Sequence, residues 1–97
     1  MSDLRKMARG RECQVRLEGV CNRDPETTVL AHVRLAGVSG MGHKAPSLLG
    51  AWACSACHDA IDRRAHMDLD RDHVRLAHYD GVMRTQAALI REGAVKA

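Results

Sequence analysis

The run Cys54-Ser55-Ala56-Cys57-His58-Asp59-Ala60-Ile61-Asp62 constrains this chain more than any other. Cys54 and Cys57 have the spacing of half a tetrahedral zinc site, because a short turn lets two thiolates face one ion. His58 follows at once and Asp62 lies four residues on, so a helix starting here would set imidazole and carboxylate side by side on one face. One short stretch thus predicts two metal-capable features, a thiolate pair behind a helix and a His/Asp pair on it.

The other half of a tetrathiolate site has to come from elsewhere in the chain. A length of 97 residues makes a single domain with a small core. Aromatic content is 2%, with Trp52, Tyr79 and no Phe, so the large rings that fill most cores are nearly absent and a metal staple would make good the deficit. Cys13 and Cys21 frame a small loop, wider than the usual knuckle. With Cys54 and Cys57 they form two pairs with none left over, the count that a structural Zn2+ takes. No apolar run approaches the roughly 20 residues that cross a bilayer, so no membrane is expected. The residues MSDLRKMARGRE are charged where a signal peptide needs an apolar segment. The expectation is a cytoplasmic protein, whose reduced thiols favour a metal over disulfides.

In chain order, residues 1–12 read as a basic arm, 13–66 as a zinc-stapled core and 70–93 as a C-terminal helix. A helical turn over 3–9 should end at Gly10. Residues 13–17 alternate like a half-exposed strand, 18–21 form a returning turn, and 22–28 loop around Pro25. Residues 29–33 are apolar and β-branched enough for a buried strand, which carries His32 near its end. Residues 36–47 contain Gly37, Gly40, Gly42 and Pro46 and read as a loop that matches no Walker or dinucleotide fingerprint. A short second strand over 48–53 leads into Cys54. A helix then runs from 55 to about 66, and a longer one from about 72 to 92, with Val74, Ala77, His78, Gly81, Val82, Thr85 and Leu89 along one stripe and Met83 and Ile90 beside it. Asp70 or Asp72 can cap that helix, Gly93 can stop it, and it should pack over the sheet. His66, His73 and His78 read as surface or packing residues.

Strand with histidine, loop, strand, Cys-x-x-Cys-His, helix is an order that resembles the ββα-metal, or HNH, nuclease finger. The run from LRKMARGRECQVR through PETTVLAH to ACSACHDAID resembles the YbcO-like family of small phage and prophage nucleases, over most of the chain. The resemblance implies an α+β fold: a zinc-stapled ββα-metal finger with an additional C-terminal helix. It also implies a metal-dependent endonuclease acting on DNA in phage or prophage DNA processing or recombination. Carried residue by residue, His32 becomes the base that activates water, a task suited to a neutral imidazole. His58 and Asp62 become ligands of one catalytic divalent metal, Mg2+, Mn2+ or Zn2+. The residue that orients the base is commonly Asn, and here the matching position is Ser47. The position before the base often adds a ligand, and here it is Ala31. Either His58 and Asp62 hold the ion alone, or His32 is itself a ligand and the base lies elsewhere.

Net charge is only +3, but Arg5, Lys6, Arg9, Arg11, Arg16 and Arg23 crowd the first quarter. Such clusters are most often a solvated surface. Under the nuclease reading, Arg5, Lys6, Arg9, Arg11, Arg34, Lys44, Arg63 and Arg64 are candidate phosphate contacts, with His43 beside Lys44. One small domain has a short footprint, which a homodimer or a recombination partner protein would extend. Two other classes compete. A non-catalytic zinc module that binds nucleic acid or protein needs the cysteines and the basic arm but not His32. A c-type haem site, read literally from Cys54-Ser55-Ala56-Cys57-His58, requires export, for which no signal is seen.

Overall fold

The computed structural model describes residues 4–39 and 45–96. Three helices and a two-stranded antiparallel sheet make an α+β fold among these residues. The order is α1 (Leu4–Met7), β1 (Val29–His32), β2 (Gly50–Ala53), α2 (Ser55–Ile61) and α3 (Arg71–Arg91). Short 3-10 turns at Pro25–Thr27 and Ser47–Leu49 precede the two strands, so the second strand starts at Gly50 rather than at 48. No described helix is long and apolar enough to cross a membrane.

Alternation along β1 and β2 gives this small ribbon two buried faces. Leu30 pairs with Trp52 and Ala31 with Ala51. Leu30 and Trp52 pack with Ala8, Ala88 and Leu89. Ala31, Ala51 and Ala53 pack instead with the cysteines, Val15, Leu17 and Val82. The small side chains on that face leave room for the sulfurs. Gly50 has its own reason to be glycine, since a Cβ there would lie 2.7 Å from Leu30 Cγ.

An edge strand carries backbone groups that need partners when buried. Trp52 finds them outside the sheet: its N–H donates to Thr85 Oγ1 on α3 at 3.0 Å, and its carbonyl accepts from Gln14 N–H at 2.7 Å. Residues 13–17 are therefore not the strand that their alternation suggests. Burial does alternate, with Cys13, Val15 and Leu17 inside, but Arg16 adopts a φ of 56°, which turns the chain out of any ladder. Gly81 of α3 accommodates this segment, because a Cβ would sit 3.0 Å from Val15 Cγ2.

The first long helix is shorter than the composition suggests. α2 stops at Ile61, and Arg63 and His66 take left-handed backbone conformations with φ of 59° and 55°. The Arg63 guanidinium donates to the carbonyls of Met67 and Leu69 and ties down the connection to α3. α3 packs over β2 as its apolar stripe requires, burying Val74, His78, Gly81, Val82, Thr85 and Leu89, while Met83 stays 68% exposed. Gly93 ends it with a φ of 78°. Asp70 occupies the N-cap position without a side-chain capping bond.

Candidate functional site

Cys13, Cys21, Cys54 and Cys57, from distant parts of the chain, place their sulfurs within 4.8 Å of one another. In a tetrahedral thiolate site with metal–sulfur bonds of about 2.3 Å, sulfurs stand about 3.8 Å apart. Cys54 and Cys21 Sγ are 3.8 Å apart, so the set fits one ion. Turns aim backbone N–H groups at the sulfurs: Arg16 at Cys13 (3.5 Å), Asn22 at Cys54 (3.5 Å) and Cys57 at Cys54 (3.4 Å). Such donors spread thiolate charge and orient the ligands. A hydrogen bond between Cys13 and Cys57 pulls Cys13 down to about 4 and, with burial, pushes Cys57 well above the ordinary thiol range. Burial also raises Cys21. Crowded sulfurs that cannot all ionise alone are what a divalent cation stabilises.

Cys54 has a second task at the N-cap of α2, where its sulfur accepts from Cys57 N–H. Thr27 Oγ1 accepts from Ser55 N–H, and Asn22 Nδ2 donates to Ser55 Oγ. Asn22 and Thr27 are therefore positioning residues that the sequence pattern did not single out. The one available signal was the Asp24–Pro25 turn start, in which Asp24 accepts from Glu26 N–H.

On the outer side of α2, His58 Nε2 stands 3.2 Å from Asp62 Oδ2, the one-turn juxtaposition expected from their spacing. Adjacent donors on one octahedral ion at about 2.1 Å would be about 3.0 Å apart, close to this spacing, which is also that of an ordinary imidazole–carboxylate contact. Asp62 is held further by Arg34 (3.3 Å) and Arg64 (3.0 Å). His32, at the end of β1, has Ser47 Oγ 3.4 Å from its Nε2. His32, His58 and Asp62 line one open cleft of about 1320 Å³, together with Arg5, Lys6, Arg9 and Arg34. Ala31 faces the opposite way into the core, where its carbonyl accepts from buried His78. Burial lowers the His78 pKa, against the opposing pull of its bond to the Ala31 carbonyl. Among the described residues, the cysteines are the metal-capable group of three or more; the cleft contributes a pair.

The predicted phosphate contacts divide into two sets. Arg5, Lys6, Arg9 and Arg34 border the cleft. Arg11 lies instead over the Trp52 ring at 4.8 Å and forms a two-pronged ion pair with Glu92, which raises the arginine pKa. Arg64 is drawn to Asp59 and Asp62, and Arg63 to backbone carbonyls. Lys44 and His43 lie outside the described residues.

Comparison with known proteins gives a consistent outcome. The family model described as "Putative nuclease YbcO" matches residues 2–94. The chain is 56% identical, over the full length of both, to the "Putative nuclease YbcO" of Escherichia coli strain K12, and equally to that of Enterobacteria phage 82. A solved structure titled as a putative bacteriophage protein from Escherichia coli K-12 superposes with a TM-score of 0.79 at 48% identity, covering 94% of this chain and all of that one.

Proposed function

This chain belongs to the YbcO family, and from that premise we propose that it is a metal-dependent nuclease of the HNH, or ββα-metal, kind that hydrolyses phosphodiester bonds in DNA. The observation that carries the reading is the cleft, which is lined by a strand histidine with a hydroxyl partner, by a His/Asp pair at the C-terminal end of a short helix, and by four basic side chains. A structural Zn2+ on Cys13, Cys21, Cys54 and Cys57 holds the parts together from beneath. His58 and Asp62 hold a second divalent metal, Mg2+, Mn2+ or Zn2+. When bound, that metal stabilises the charge that builds on the phosphate and the leaving oxygen.

The remaining work falls to the chain's own side chains. His32 takes the proton of the attacking water at an imidazole nitrogen, and Ser47 Oγ fixes the ring's orientation. Arg5, Lys6, Arg9 and Arg34 hold the phosphate backbone in the cleft, so binding weakens as salt rises. Arg34 and Arg64 hold Asp62 in place through its two oxygens. The phage relative supports a role in phage or prophage DNA processing in the host cytoplasm, with a second copy or a recombination partner extending the footprint.

The test pairs metal analysis with cleavage assays on single-stranded, duplex and branched DNA. One tightly bound zinc per chain and metal-stimulated nicking that His32→Ala abolishes are the expected results. Zinc without nicking would replace this reading with a non-catalytic zinc-stapled binding module.

A further inference from the structure

Arg34 has cavities on both of its sides. One is the cleft with His32, His58 and Asp62; the other is a notch of about 390 Å³ between the end of α2 and the start of α3. Arg34, Arg63, Arg71 and Arg75 line the notch beside Tyr79, and no carboxylate is among its lining residues. We propose that this notch is a second phosphate site, which holds the backbone of the same nucleic-acid strand beyond the phosphate at the cleft. The inference rests on the nuclease reading for the identity of the strand.

Three observations support it. Arg71 and Arg75 lie one turn apart on α3, where like charges disfavour the helix, and Arg63, Arg71 and Arg75 form no ion pair with a described carboxylate. An anion would relieve the repulsion that the fold leaves in place. Two of the arginines are also held ready: Arg75 donates to Tyr79 Oη at 3.1 Å with its guanidinium 5.5 Å from the ring centre, while Arg63 is fixed by two carbonyls. Guanidinia fixed in this way lose little freedom on meeting a phosphate. Finally, Arg34 is 79% exposed and lines both cavities, so the positive surface continues from the candidate reaction centre into the notch. The sequence signal was the basic and aromatic spacing Arg71, Arg75, Tyr79, one turn apart each time, on a helix whose apolar stripe had suggested packing alone.

The test is fluorescence anisotropy with labelled DNA of increasing length, without added divalent ion, over about 50 to 200 mM salt. Wild type is compared with R71Q/R75Q and R71K/R75K, each checked for zinc content and helical signal. Loss of two contacts should lower the slope of log K against log salt by about 2 on duplex, given about 0.9 per phosphate. The loss should appear only on strands long enough to pass Arg34, with partial recovery in the lysine variant. In cleavage, KM should rise and kcat stay unchanged. Unaltered slope and affinity at every length would overturn the notch, and so would an equal loss on the shortest and longest strands. If wild type binds but never cleaves, the nuclease reading fails while a length-dependent slope change still upholds the notch. If wild type cleaves and the slope is unchanged, only the notch fails.

Discussion

Cys57 and His58 are neighbours in the chain and belong to regions with opposite physics. Cys57 is fully buried, and its sulfur joins three others in a core where small alanines make room. His58 is 30% exposed and faces a basic cleft open to solvent. The first region is over-determined: ligands, capping bonds and apolar packing all depend on one geometry. The second is an open cleft lined by polar and basic side chains, among them the His58–Asp62 contact at 3.2 Å. Placing both on one seven-residue helix makes the buried centre the rigid support of the open one.

The sharpest way to break this contrast is to remove the buried centre. Stripping metal with a strong chelator, or Cys54→Ser, should abolish the cooperative thermal transition followed by circular dichroism. Structural zinc sites supply on the order of 10 kcal/mol or more to small folds. A chain that melted normally without metal would sink the idea that the sulfurs support the cleft.

His32→Ala should do the reverse. Cleavage should fall by about 10²- to 10⁴-fold, the usual contribution of a general base, while zinc content and the melting transition are unchanged. An equal loss of stability would make His32 part of the scaffold instead.

Thr85→Val probes a third kind of dependence. It keeps the shape but leaves the buried Trp52 N–H without its acceptor, at a cost of about 1 to 3 kcal/mol in urea unfolding. Zinc stoichiometry should not change, since Trp52 faces the second core.

The smallest effect is expected at Arg11 and Glu92. The hydrogen bond from Arg11 lowers the Glu92 pKa below its usual 4.5. A depressed carboxylate contributes stability that is present above pH 4.5 and lost as pH falls through the lower folded value. Glu92→Gln should therefore lower the melting temperature slightly at neutral pH, with the difference closing in acid. Both side chains are solvent-accessible, so salt should shrink it further.

What could be read in advance followed from spacing. The Cys-x-x-Cys pair, the one-turn step from His58 to Asp62 and the stripe along α3 are local or periodic, and a helix converts such intervals directly into shared faces. Residues 13–17 show where this fails: their alternation foretold which side chains are buried but not the backbone, because the left-handed turn at Arg16 serves the sulfur of Cys13 rather than a ladder. α2 ends early for a related reason, since Arg63 satisfies carbonyls across a turn that no helical pattern encodes. Arg11 had the composition of a phosphate contact, yet its partner, Glu92, lies at the far end of the chain.

By itself, the sequence determined the inventory: four thiols in two pairs, an imidazole on a strand, and a His/Asp step on a helix, because ligand type and helical period are properties of residues and intervals. Only the tertiary structure decided which arginines face the cleft and which are spent on internal partners, and that Arg34 joins the cleft to a notch on α3. A guanidinium at the end of a long side chain takes its partner from whatever the fold brings within reach, and no local pattern records that distance.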